Sequence, residues 1–301
     1  MDSKNLITEG SGGYELLDSG LDEKLERYGN IILSRPDPSA LWERHLDDSE
    51  WKKADGWYER TAKGGKWHFR SGQHSENSEQ GTSKEWQIEL GGMQFLIRPT
   101  SFKHTGIFPE QLPNWEWIYS LIRANKRIDP QVRVLNLFAY TGGATMAAAK
   151  AGASVVHLDA SKTAIEWARK NAELSGLSQK PVRWILDDAL LFVKKELKRG
   201  NHYDGIIMDP PAFGHGPKDE LWKIEEHFLS LVDSTKQLLS EKPLFFLING
   251  YASGYSHLAF RYNLDSIQKQ FGGTIESGEL GIQESKTARV LPCGIYGRWS
   301  A

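Results

Sequence analysis

The sequence predicts an α/β protein: a mostly parallel sheet of seven strands covered by helices, with a small β-rich domain ahead of it. Three observations predict this. From residue 130 onward, short apolar runs alternate with amphipathic stretches of helical length, the grammar of right-handed β-α-β crossovers. Before residue 104 the apolar runs are short, aromatic and separated by glycine pairs, as in hairpins. The last two strand candidates have no helix between them and should form a hairpin that adds an antiparallel edge.

Residues 1–30 are polar and glycine-spotted. Leu16, Leu17, Leu21 and Leu25 suggest a short amphipathic turn or two, in an arm or edge element. A small β-rich domain is expected over 31–104. It opens on the run Ile31-Ile32-Leu33, which the turn Arg35-Pro36-Asp37-Pro38 ends, and Leu41-Trp42 then start a short helical stretch. Trp86–Leu90 alternates, Gly91-Gly92 turns, and Met93–Ile97 returns, which reads as a hairpin. Residues 105–130 are expected as a linker and covering segment, and 131–301 as the main domain. Its strands are expected at Val132–Phe138, Val155–Leu158, Val182–Leu186, Tyr203–Met208, Leu244–Ile248, Thr274–Gln283 and Ala288–Arg298. Helices are expected at Ala144–Ala151, Thr163–Leu174, Leu190–Lys198, Glu220–Leu239 and about Ser256–Gln270.

Composition narrows the function classes. A single cysteine, Cys293, excludes an internal disulfide framework and thiolate-based metal clusters. The nine histidines are scattered without ligand spacing, so no metal site is expected. The net charge of -2 supplies no long-range field for nucleic acid, so an RNA partner would meet a local patch. No apolar run is long enough to span a membrane, and the first residues lack a secretory pattern, which makes the cytoplasm the expected location.

In a parallel sheet, ligands bind beyond the carboxyl ends of the strands. Five strand candidates carry polar or glycine residues there: Thr141-Gly142-Gly143, Asp159, Asp187-Asp188, Asp209 and Asn249. Gly142 and Gly143 allow close backbone approach or a tight strand-to-helix turn. The pattern is neither the dinucleotide glycine fingerprint nor a phosphate cradle. A carboxylate at Asp159 suits a ribose diol, or caps the helix that begins near Ser161. Asp188 suits an adenine amino group, with Asp187 as its rival. In Asp209-Pro210-Pro211-Ala212-Phe213 the prolines stiffen the backbone, and Asp209 with the carbonyl of Pro210 could accept both hydrogens of an exocyclic amine. Phe213 could stack on a flat ring or fill the core. No nucleophile–histidine–acid arrangement points to a hydrolase.

The segment LNLFAYTGGATMAAAKAGASVVHLDASKTAIEWARKNAELSG, the pair Asp187-Asp188 and the run MDPPAF at 208–213 resemble the class I S-adenosylmethionine-dependent methyltransferases. More narrowly, they resemble the branch of bacterial 23S ribosomal RNA methyltransferases that modify cytosine C5 or guanine N7. The resemblance covers about 100–301 and implies a Rossmann-like seven-stranded sheet with an antiparallel final strand. It implies S-adenosyl-L-methionine as cofactor. Tyr140, Thr141, Gly142 and Gly143 would border its methionine part, Asp159 its ribose, and Asp187, Asp188 and Ala189 its adenine. Asp209, Pro210, Phe213 and Asn249 would line the acceptor pocket. The segment 103–111 would close over the cofactor with Thr105, Phe108 and Gln111. Two positions depart from the family pattern. Leu112 stands where the family has arginine, and no cysteine follows the fifth strand of the main domain, which disfavours thiolate-assisted cytosine C5 methylation. The expected activity is transfer to a nitrogen of a base in RNA, with ribosomal RNA as the expected kind. The small domain offers Trp57, Tyr58, Trp67 and Phe69 with Lys63, Lys66, Arg70, Lys84 and Arg98 for that RNA. Transfer to a protein side chain or small molecule, or a non-catalytic interaction role, are the alternatives.

Overall fold

The structure, a computed structural model, describes residues 3–61, 64–70, 84–125, 131–251 and 254–301. The chain divides into two units. The larger holds residues 1–6, 113–280 and 294–301, and the smaller holds 7–112 and 281–293. No described helix is long and apolar enough to cross a membrane.

In chain order the strands of the first third are β1 (Leu6–Thr8), β2 (Tyr14–Gly20), β3 (Glu23–Tyr28), β4 (Ile31–Pro36), β5 (Gly56–Thr61), β6 (Gly64–Phe69), β7 (Trp86–Leu90) and β8 (Met93–Ile97), with one short helix, α1 (Asp48–Trp51). Helix α2 (Leu112–Ala124) follows, then β9 (Arg133–Leu137), α3 (Gly143–Ala151), β10 (Ser154–Asp159), α4 (Lys162–Leu174), β11 (Val182–Leu186) and α5 (Ala189–Lys198). The remainder is β12 (Gly205–Met208), β13 (Phe213–His215), β14 (Leu221–Lys223), α6 (Ile224–Lys236), β15 (Phe245–Gly250), α7 (His257–Phe271), β16 (Thr274–Gln283) and β17 (Val290–Ser300).

The main sheet has eight strands in the order β1-β16-β17-β15-β12-β9-β10-β11. Strands β15, β12, β9, β10 and β11 run parallel, and β17 is antiparallel to β15. This is the expected seven-stranded arrangement with one strand added, because β1 from the N-terminal arm extends the edge beyond β16. Alternate residues point to opposite faces of a strand, and both faces are covered. Leu135, Val156, Ile206 and Phe246 join one apolar cluster with Phe192, Leu231 and Phe260. Val134, Val155, Ile207 and Leu247 join another with Ile118 of α2 and Ala148 of α3. Burial on both sides explains why these strands read as continuous apolar runs.

The smaller unit contains a five-stranded sheet in the order β2-β3-β4-β5-β6 and the hairpin β7–β8. The hairpin has the expected bounds. The expected helical turns at Leu16–Leu25 are strands instead. Leu17 and Leu25 pack with Trp51 and Ala54, and the intervening Leu21 sits with φ 53° in the turn between β2 and β3. The sheet therefore begins at Tyr14, ahead of residue 31. Residues 41–42 are irregular, and the short helix lies later, at α1. Residues 221–223, expected within the first turn of a helix, pair back as β14 against β13, and α6 begins at Ile224. Residues 112–124, expected within a linker, form α2.

Candidate active site

The carboxyl edge of the parallel sheet collects the polar strand ends. Register aligns Leu158 and Met208 with Leu137, and Ile248 with Met208. The next residues therefore gather at this edge: Phe138 and Asp209 just past β9 and β12, Asp159 at the end of β10, and Asn249 on β15.

The turn after β9 is the most strained backbone of this edge. Phe138 (φ 56°) and Tyr140 (φ 49°) both occupy the left-handed region, and Gly142 does so at φ 90°. For a residue with a Cβ that conformation costs on the order of 1–3 kcal/mol, and such strain gathers at functional sites. Three contacts hold it. The Tyr140 amide donates to Asp159 Oδ2 at 2.8 Å, Asn171 Nδ2 donates to the Thr141 carbonyl at 3.0 Å, and the Ala139 amide donates to the Leu158 carbonyl at 3.0 Å. The two glycines have different reasons. Gly142 supplies the positive φ, whereas a Cβ on Gly143 would lie 2.3 Å from the indole of Trp115. Packing by α2, rather than ligand approach, demands the second glycine.

Asp159 ends β10 with both oxygens engaged, Oδ2 by Tyr140 and Oδ1 by the Ser161 amide at 2.8 Å. The helix cap is Ser161, whose hydroxyl accepts from the Ala164 amide, so Asp159 is not the cap. Burial pushes the Asp159 carboxyl above its ordinary range, with the backbone hydrogen bonds working against that rise. No lysine or arginine pairs with it among the described residues. Each carboxylate oxygen keeps a second lone pair. A half-buried carboxylate held by backbone amides, with no counter-cation among the described residues, suits a neutral pair of hydroxyls.

Asp187 and Asp188 have different protein partners. Asp187 takes Lys195 Nζ at 2.6 Å. Asp188 is buried and caps α5 through Oδ1, which accepts from the Leu191 amide at 2.9 Å. Its Oδ2 has no protein donor among the described residues. Ala189, the first residue of α5, is buried beside it.

After β12 the chain turns through Asp209-Pro210-Pro211 into the ribbon β13–β14. The Pro211 carbonyl accepts from Trp222 Nε1 at 2.7 Å and the Ala212 carbonyl from the Ile224 amide at 3.0 Å. The Pro210 carbonyl has no such partner among the described residues. Trp222 is the buried aromatic of the ribbon, 5.1 Å from the ring of Phe138. Phe213, with 56% of its surface exposed, is not a core residue. Asn249 is buried, and its Oδ1 accepts from Asn114 Nδ2 at 3.0 Å.

More of the residues named from the sequence belong to the smaller unit, among them Thr105, Phe108 and Gln111. There the Thr105 hydroxyl donates to Tyr28 at 3.2 Å, and Phe108 precedes a single 3₁₀ turn that ends at Gln111. Cys293 is also in the smaller unit, half-buried, with burial raising its thiol well above the ordinary value. Among the aromatics of that unit, Trp57 is exposed and stacks on His68 at 5.4 Å, whereas Tyr58 is buried and Trp67 is tied to the Thr100 carbonyl. Lys63 lies outside the described residues. Sequence reading missed Asn114 and Asn171, whose polar side chains sit on buried helix faces within otherwise apolar patterns.

The S-adenosylmethionine-dependent methyltransferase family matches residues 62–242, more than half of the chain. The chain belongs to this family. The crystal structure of the SAM-dependent methyltransferase from Agrobacterium tumefaciens superposes with a TM-score of 0.90 at 38% identity, covering 99% of this chain and 93% of that one. Ribosomal RNA large subunit methyltransferase I of Aeromonas salmonicida is 35% identical over 127 residues, 42% of this chain and 30% of that protein. Ribosomal RNA large subunit methyltransferase K/L of Pseudomonas putida is 30% identical over 191 residues, 61% of this chain and 24% of that protein. The chain thus spans less than a third of the length of these curated relatives. The methyltransferase cofactor is S-adenosylmethionine, and the donor set would suit it, with Asp159 toward the ribose, Asp188 Oδ2 toward the adenine and the strained turn at 138–142 toward the methionine end.

Proposed function

We propose that this methyltransferase modifies a nitrogen of a base in RNA, with large-subunit ribosomal RNA as the substrate class. The observation that carries the reading is that Asp209 and Asn249 directly follow the paired residues Met208 and Ile248, on the same carboxyl edge as Asp159. S-adenosylmethionine supplies an electrophilic methyl group on a sulfonium. The chain's own residues hold and align. Asp209 and the Pro210 carbonyl accept hydrogen bonds from the acceptor base, and exposed Phe213 offers a ring on which a flipped base can stack. A ring nitrogen already carries the lone pair that attacks the methyl group, so alignment is the main demand on the protein. Cytosine C5 would instead need a thiolate. Burial pushes the thiol of the chain's single cysteine well above its ordinary value, which disfavours that role. The ribosomal RNA methyltransferases named above support the substrate class.

One observation favours a second reading, a protein or small-molecule acceptor. Asp219, Glu220, Glu225 and Glu226 crowd the ribbon and the start of α6, and they would repel a polyanion. Incubation with methyl-labelled S-adenosylmethionine and separate RNA, protein and metabolite fractions decides. Label in RNA, at a nitrogen after digestion, supports the proposal. Label only in protein or metabolites replaces it with the second reading. Cofactor binding without label in any fraction would leave an interaction protein.

A further inference from the structure

A buried hydrogen-bond chain runs up to the acceptor side of the edge, and the transfer reading does not use it. Arg298 Nη1 donates to Asn114 Oδ1 at 3.2 Å, and Asn114 Nδ2 donates to Asn249 Oδ1 at 3.0 Å. Arg298, Asn114 and Asn249 are 5%, 0% and 4% exposed, and all belong to the larger unit. The other arms of Arg298 are committed. Nε and Nη2 donate to Glu276 at 2.9 and 2.6 Å, and the guanidinium lies 4.7 Å from the ring centroid of Trp117.

A guanidinium has donors and no acceptor. Asn114 must therefore turn its oxygen toward Arg298, which turns its NH₂ toward Asn249. Asn249 must answer with its own oxygen. The orientations of two side-chain amides, ordinarily open to a flip, thus follow from one cation. The free end of Asn249 is Nδ2, which has no partner among the described residues. It is also absent from their sealed, unsatisfied atoms, which are Arg44 Nε and His157 Nε2. Asp209 follows Met208, the strand partner of Ile248, and its carboxylate is acceptor-only when ionised.

We propose that Arg298, acting through Asn114, sets Asn249 as a hydrogen-bond donor next to Asp209, so that the site selects an acceptor edge with an unprotonated atom adjacent to an N–H. This rests on the methyl-transfer reading above. Lactam and amino-heterocycle edges of nucleobases have that pattern. An aliphatic ammonium, all donors, and a carboxylate, all acceptors, do not. Arg298 and Asn114 are positioning residues, and Asn249 touches the acceptor.

The decisive variant is Asn114→Asp. It still accepts from Arg298 but has nothing to donate, so Asn249 must turn its NH₂ toward residue 114 and present its oxygen to the acceptor. Side-chain amide exchange in ¹⁵N-asparagine-labelled full-length protein reads this without any acceptor. In the wild type the Asn249 NH₂ should exchange about tenfold faster than that of Asn114, and Asn114→Asp should slow it by about the same factor. Arg298→Lys, which keeps a donor-only cation, should preserve the wild-type pattern. With transcribed large-subunit ribosomal RNA as acceptor, Asn114→Asp and Asn249→Asp should each lower kcat/KM about tenfold, with the cofactor Kd within about twofold. Protected Asn249 protons in the wild type, or exchange unchanged in Asn114→Asp, would overturn the proposal. So would parallel losses of thermal stability, cofactor affinity and activity, the mark of a purely structural role. If the wild type labels no RNA, the RNA reading falls while the exchange experiment still decides the orientation of Asn249.

Discussion

The two units bury polar side chains in opposite ways. In the smaller unit, the Glu26 carboxylate is surrounded. It accepts from Arg35 Nε at 2.5 Å and Nη2 at 3.0 Å, from Tyr14 at 2.8 Å and from Tyr28 at 3.1 Å, while Lys24 bridges it to Asp37. Tyr28 in turn accepts from Arg35 and Thr105. Burial alone would raise the Glu26 carboxyl, but Arg35 and Lys24 outweigh it and hold it down to about 2. In the larger unit, the polar groups of the carboxyl edge stop one bond short. Asp159 has no counter-cation, Asp188 keeps one oxygen without a donor, and Asn249 keeps its NH₂, all among the described residues. A closed network has nothing left for a ligand and holds the fold. An open one gives up some stability and keeps directional groups for another molecule.

Mutation should separate the two. The largest effect is expected at the closed network. Glu26→Ala leaves Arg35 buried and unpaired and should cost about 3–5 kcal/mol in urea unfolding; a loss below about 1 kcal/mol would mean the network is not closed. The sign of its pH dependence follows from the lowered carboxyl. Glu26 contributes stability above its unfolded value of 4.5, and that stability is lost as pH falls toward about 2. Glu26→Gln should flatten this acid limb.

Asp159→Asn comes next. It should weaken S-adenosylmethionine binding by about 1.5–3 kcal/mol, read by calorimetry. Because burial raises the Asp159 carboxyl, cofactor affinity should begin to fall with acid above the pH where an ordinary aspartate titrates. The ligand-free protein should respond in the opposite sense. A raised carboxyl contributes stability that is present at low pH and is lost as pH rises through its folded value. Coincident acid limbs for affinity in the wild type and Asp159→Asn would sink the ribose role.

Asp209→Ala should lower kcat about ten- to hundredfold through misplacement of the acceptor, with cofactor affinity nearly unchanged. A matched loss of cofactor affinity would move Asp209 to the cofactor side. The smallest effect is expected for Cys293→Ser, which removes a half-buried thiol of the smaller unit. Labelled-methyl transfer should stay within about twofold and stability within about 1 kcal/mol. Abolished transfer would restore thiolate chemistry.

Much of the larger unit was legible because its strands are buried on both faces and its helices amphipathic. Val182–Leu186 and Thr274–Gln283 have the bounds read from sequence. Strand ends carrying Asp159, Asp209 and Asn249 were legible because a parallel sheet brings all carboxyl ends to one edge. The smaller unit was less legible. Leu16, Leu17, Leu21 and Leu25 fit a helical spacing, yet a tight turn at Leu21-Asp22 folds them into two paired strands. Residues 281–293 were read as part of the final hairpin alone. They fall in the smaller unit because Arg289 bonds Asp18 at 2.7 Å and Glu284 bonds Ser19 at 2.6 Å, pairings no local pattern announces.

The alternation of strands and helices in the larger unit, the burial of its strands and the row of polar strand ends were determined by the sequence itself. Side-chain periodicity and the handedness of crossovers are local rules, and they act the same wherever the chain folds. Tertiary structure alone decided which atom each polar residue presents. Asn249 offers its NH₂ because Arg298 and Asn114, distant in the chain, consume its oxygen. Asp187 is spent on Lys195, whereas Asp188 keeps a lone oxygen. Donor and acceptor assignments depend on partners, and partners meet only when the chain has folded.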